Sequence, residues 1–171
     1  MALFRKHDAS ATGDTAGGAL QAAVADDARR LALEIAGHVP LQRLDPIALG
    51  VVLDAAESAT RTVQVSARSL DDGRWSDEEP CRAVVTDQRL LLRRASGELV
   101  SFWWSTVVGL EVDLAQQRIV LDFGDGHPCG LSGPHVALPA VMAIARVYGA
   151  EGLIRHPSLE SLRAPVVTPG S

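Results

Sequence analysis

Lysine is almost missing from this sequence of 171 residues: Lys6 is the only one, and every other basic residue is arginine. Sixteen basic residues stand against 21 acidic ones, for a net charge of −5. A nucleic-acid partner selects a basic face, so that class is excluded. The want of a lysine-rich patch also places a membrane surface low among the partners, though still among them. Arginine in place of lysine, with abundant alanine, reads as GC-rich coding of the actinobacterial kind. Cysteine is scarce as well. Cys81 and Cys129 are too few for a disulfide framework. Long apolar runs are lacking. The least polar stretch, about residues 136 to 145, is interrupted by Pro139 and ended by Arg146. That is short of the roughly 20 residues of a membrane span. MALFRKHDAS at the N-terminus carries no apolar stretch of signal-peptide length, and a cytoplasmic location is the expectation.

What is present divides into four parts. Residues 1–18 include ASATGDTAGG, small and polar, and read as a flexible leader. Residues 19–58 read as a helical extension. Leu20, Val24, Ala28, Leu31 and Ile35 recur at helical spacing, with Asp26, Asp27, Arg30 and Glu34 on the opposite, solvent-facing side. Asp45-Pro46 starts a second helix that is expected to reach about Ala56. Asp54 and Glu57 then lie one turn apart as exposed helix charges.

Near Thr60 the period changes to two. Residues 60–150 carry strand-like segments at about 60–68, 81–86, 89–94, 98–104, 107–114, 117–123 and 127–132, joined mostly by links of two or three residues. Such links imply antiparallel hairpins. Leu90-Leu91-Leu92 breaks the alternation and predicts a strand covered on both faces. LDDGRWSDEE, residues 70–79, is a polar acidic loop with a DG turn signal. A helix follows, buried through Val141, Ile144, Ala145 and Tyr148, with Gly149 as its stop. Residues 151–171 read as a tail.

The segment Ala83–Val112 resembles the bacterial pleckstrin-homology-like and GRAM-like domains. The elements that carry the likeness are Thr86-Asp87-Gln88-Arg89, the apolar run Leu90 to Leu92, and the corner Trp104-Ser105-Thr106-Val107. The resemblance implies an α+β fold: an antiparallel PH-like β-barrel or curved sheet capped by a C-terminal helix, here with two N-terminal helices in addition. It implies binding of proteins, lipid surfaces or copies of itself, and no reaction.

Two constellations could carry chemistry. Arg89, Arg93 and Arg94 lie on one arm of a hairpin and Trp103 and Trp104 on the other. An exposed tryptophan beside arginines suits a protein interface. The competing reading is cation–π packing within the sheet, or cover by the N-terminal helices. GDGHPCGLSGPH, residues 124–135, offers His127, Cys129 and His135 as a thiol–imidazole pair or a zinc set. No orienting group or fourth ligand accompanies them, and a turn leading into a short strand accounts for them better. The expectation is therefore a noncatalytic binding or scaffold module without a cofactor. Its partner is a protein or a second copy of the chain. A small Cys/His-dependent hydrolase or metal-binding enzyme is the alternative.

Overall fold

A computed structural model describes residues 11–163, with the backbone alone for residues 11–15. One long strand organises it. β1 (Ala59–Asp71) pairs antiparallel with β3 (Glu79–Thr86) along Ala59–Ala67, and with β8 (Cys129–Ser132) along Ser66–Ser69. The other strands are β4 (Arg89–Arg93), β5 (Leu99–Trp103), β6 (Gly109–Asp113) and β7 (Arg118–Asp122). Their order across the sheet is β5-β4-β3-β1-β8-β7-β6. β2 (Arg74–Trp75) only folds back on the end of β1. It does so through Asp72 and Gly73, both at positive φ (47° and 74°), the two-residue hairpin geometry that a DG pair favours. β5 and β6 end the order and do not pair with each other, so the curved sheet stays open along that seam.

The fold is the α+β arrangement expected, a curved antiparallel sheet plugged by a C-terminal helix and preceded by helices. α3 (Ala137–Arg155) inserts Leu138, Val141, Met142 and Ile144 among Val63, Val65, Leu90, Leu92, Ile119, Leu121 and Leu131. α1 (Ala11–Ile35) adds Val24, Ala28 and Leu31 to the same core. Leu91 belongs to a second cluster on the other face, with Val51, Ala59 and Val84. The unbroken run Leu90-Leu91-Leu92 is thus buried on both faces. The outer cover comes from residues 44–53, which lie over β3 and β4 through Leu44, Leu49, Val51 and Leu53.

Several boundaries differ from the sequence expectation. α1 begins at Ala11, so residues 11–18 of the expected leader are helical, while residues 1–10 lie outside the described part. α2 (Pro46–Leu49) is a single turn and not a helix reaching Ala56. Asp45 caps it, accepting from Ile47 N at 2.9 Å, and Gly50 closes it at φ 66°, donating back to Ile47 and Pro46. Gly149, at φ 68° and ψ −163°, interrupts α3 as a stop would, but the chain resumes helix to Arg155. A 3₁₀ turn (Pro157–Leu159) and α4 (Glu160–Arg163) follow, with Leu159 in the main core. The part of the tail up to Arg163 is therefore packed structure, and residues 164–171 lie outside the described part. α3 is also long and apolar enough, by length and composition alone, to cross a membrane. Here its first half is instead the core of the β-domain.

Candidate functional site

The link between β3 and β4 is Thr86-Asp87-Gln88-Arg89, and its side chains work inward. Thr86 Oγ accepts from the N–H groups of Gln88 (3.1 Å) and Arg89 (2.8 Å), and donates to Glu57 Oε1 (2.6 Å). Arg89 reaches the same carboxylate through Nε (3.0 Å) and Nη2 (2.9 Å), and donates to Val52 O (3.0 Å). Its guanidinium also sits over Trp103, 4.4 Å from the ring centroid. Trp104, 3% exposed, lies in the 3₁₀ corner after β5 and donates its indole N–H to Thr86 O at 3.0 Å. Arg93 donates to Gly50 O (2.8 Å). Arg94 pairs with Glu98 (3.3 Å) and Glu79 (3.7 Å).

The five residues therefore do not make one open basic and aromatic patch. Trp104 turns into the core, as one of two adjacent tryptophans must. The outer face bearing Arg89 and Arg93 is covered by residues 44–53, whose carbonyls take the guanidiniums. Arg94 and Trp103 are left on the rim of the open seam.

Sequence reasoning missed two buried carboxylates. Glu34, read as solvent-facing, is 3% exposed. Its Oε1 and Oε2 accept from Arg61 Nη2 (3.0 Å) and Nη1 (3.1 Å), and Arg30 and the Gln42 N–H add further bonds. Arg61 Nε meets Asp27 Oδ1 at 2.8 Å. This clasp joins α1 to β1. Glu57, read as an exposed helix charge, is its counterpart for residues 50–58. Burial pushes both carboxyls up, but hydrogen bonds from Arg61 at Glu34 and from Arg89 and Thr86 at Glu57 outweigh it. Both are held below the usual carboxylate range.

His127, Cys129 and His135 do not converge. Among the described residues no three His, Cys, Asp or Glu side chains could hold a metal together. His127 is exposed and faces Asp71 (3.3 Å). Cys129 is buried in β8, and burial, with Cys81 nearby, pushes its thiol up to about 12. A nucleophile needs the thiolate, which is negligible here at neutral pH. Cys129 is expected to resist a thiol reagent at pH 7 and to react at once in denaturant. Rapid labelling of the folded chain at that position would contradict this assignment.

Beside the free edge of β5 the seam widens into a cleft walled by the β1–β2 hairpin and the link after β7. One part, about 520 Å³, lies under the β1–β2 hairpin and includes Arg68, Glu79, Arg94, Val100, Phe102 and Cys129. An adjoining part, about 460 Å³, runs along β5 and shares Ser69, Arg94, Val100 and Phe102 with it. Phe102 stacks on Phe123 across the gap, centroids 5.3 Å apart. Asp71, Asp77, Glu78, Glu79 and Asp125 outnumber Arg68, Arg94 and His127 on the walls. A phosphate group entering there meets more carboxylate than cation.

No protein-family model matches the chain. No curated protein matches it either. Solved structures do, among them a Vps36 N-terminal PH domain, 15% identical, covering 60% of this chain and 86% of that one at a TM-score of 0.43.

Proposed function

We propose that the chain is a noncatalytic docking module that takes an extended segment of a protein partner along the open seam. One observation carries this reading: β5 is hydrogen-bonded only to β4, and its other edge opens onto a cleft. A free strand edge offers a row of backbone donors and acceptors, and an added strand uses them while side-chain pockets supply selectivity. Val100 and Phe102 give the apolar floor, and Trp103, Arg94 and the carboxylates give the rim. The strand order agrees with the pleckstrin-homology-like resemblance of Ala83–Val112, and membership of the bacterial GRAM-like branch is part of the same reading.

The test is selection of peptides from a displayed library on the immobilised chain, followed by amide hydrogen exchange with and without a selected peptide. Slowed exchange across Leu99–Trp103, with shifts at Asp125 and His127, is the expected result. Binding that leaves β5 exchange unchanged would overturn the reading. Sedimentation with phosphatidylserine vesicles is expected to leave the protein in the supernatant. Pelleting would favour a membrane surface over a protein segment.

A further inference from the structure

On the far side of α1 lies a second groove, about 510 Å³, formed with the end of α3 and with α4. Its walls are Ala32, Leu33, Ala36, Leu153, Ile154 and Leu162, and two of these stand well out of the surface: Leu33 is 46% exposed and Ile154 69%. The ionisable residues that line it are Arg29, His38 and Arg163, with no carboxylate among them. Arg29 pairs with Asp26 on its own helix and donates to Leu162 O, and Arg163 donates to carbonyls of Ile154 and His156. Both guanidiniums are thereby held at the rim. In a chain of net charge −5, this is an apolar groove with a positive border.

The chain also carries the complement. Asp71 to Glu78 is exposed throughout, and its charged residues are Asp71, Asp72, Asp77 and Glu78 against Arg74 alone. Among the described residues Asp72 and Asp77 take no ion pair. Trp75, 37% exposed, sits between them with the Arg68 guanidinium stacked 4.7 Å from its ring centroid, so the carboxylates rather than the indole are what the hairpin offers a partner. The hairpin cannot serve its own groove. It is held to the β7–β8 side by Leu70 N–H to Pro128 O (2.9 Å), by Asp71 facing His127, and by Ser132 donating to Glu78 (3.0 Å).

We infer that the acidic hairpin Asp71–Glu78 of one copy docks into the groove between α1, α3 and α4 of a second copy. Donor and acceptor surfaces are different patches of the same chain, so the contact is head-to-tail. Each added copy presents a fresh hairpin and a fresh groove, and the product grows past the dimer, into an open chain or, where the rotation closes, a ring. The same hairpin walls one part of the cleft beside β5 through Asp71, Asp77 and Glu78, so the two readings share that element and are told apart by a groove variant and a β5 variant.

Light scattering on size-exclusion fractions tests it. The wild-type mass is expected to rise with protein concentration without a plateau at the dimer, and to fall towards the monomer as salt screens the contact. A groove variant, Leu33→Glu with Ile154→Glu, and a hairpin variant, Asp77→Lys with Glu78→Lys, each alter exposed side chains and are each expected to run as monomers. Circular dichroism should match the wild type. Mixed in equal amounts, the two variants retain one intact groove and one intact hairpin between them, and should form a dimer and nothing larger. A wild type that stays monomeric at low salt, a closed dimer, association that survives either variant, or a mixture that fails to dimerise would each overturn the proposal. A β5 variant, Val100→Glu, should leave the association unchanged while abolishing seam peptide binding, so failure of one reading is distinguishable from failure of the other.

Discussion

Arg61→Ala is expected to lower the unfolding free energy by about 3–5 kcal/mol, the usual cost of removing one partner from a buried ion pair. Arg61 is buried on β1 and supplies three bonds to α1, two to Glu34 and one to Asp27. Without it, Glu34 keeps the bond from the Gln42 N–H and one from Arg30, whose side chain is largely in solvent. The loss is therefore more than a deleted contact, because a buried carboxylate is left with only the solvent-exposed Arg30 as its cation. Urea titration followed by far-ultraviolet circular dichroism reads the change in midpoint. Limited proteolysis should show new cleavage within α1, since the helix then holds to the rest of the chain through Val24, Ala28, Leu31 and their apolar neighbours and through the polar contacts of Arg29 and Gln21. Arg61→Lys keeps the charge but not the two-pronged fit, and should recover part of the stability. A midpoint unchanged in Arg61→Ala would show that the clasp contributes nothing.

Glu57→Ala is the second large effect, about 2–3 kcal/mol, because charged hydrogen bonds to Arg89 and Thr86 and a backbone bond from Asp54 are lost together. Arg89 keeps Val52 O and the Trp103 face, so the guanidinium is not stranded, and the cost stays below that at Arg61. Hydrogen exchange should quicken at the Asp54 amide, which Glu57 holds, and spread to the cover over Leu91. The two carboxylates also set an acid limit. Both are depressed on folding, so their contribution is complete above the unfolded carboxylate value, about 4.3. It is lost as pH falls through the lower folded values. Wild-type stability should be steady near neutrality and fall in that acid range, and Glu57→Ala should show a shallower fall. Equal slopes would remove Glu57 from the account.

The β-domain was legible because its information is local. Alternation and short links specify hairpins, and the apolar triplet at 90–92 announced cover on both faces before the cover was known. The following helix was legible only as far as Gly149, read as its end; its continuation to Arg155 was not, and Tyr148, read as buried, is 48% exposed. What stayed hidden depends on partners far away in the chain. Glu34 lies on the polar side of α1 by periodicity, and only the arrival of Arg61 from β1 turns that side into an interior. Glu57 follows the same logic with Arg89. The Arg/Trp constellation was visible as a set, yet its fate turned on the backbone carbonyls of Gly50 and Val52, which no side-chain pattern encodes. Residues 157–163 looked like tail because a 3₁₀ turn and a single helical turn have no period to detect, although Leu159 anchors them.

The double partnership of β1 has a kinetic meaning. Its first half finds β3 through a nearby hairpin, and β4 and β5 extend that sheet by further local steps. Its second half pairs with β8, and Ser66 meets Ser132 only by closing the whole chain between them. Long-range closure of this kind carries the loop entropy of the whole intervening chain and slows folding. Until β8 arrives, the far end of β1 is a bare edge, and the acidic residues that follow it (Asp71, Asp72, Asp77 and Glu78) supply the like-charge repulsion that keeps two unfinished chains from pairing there.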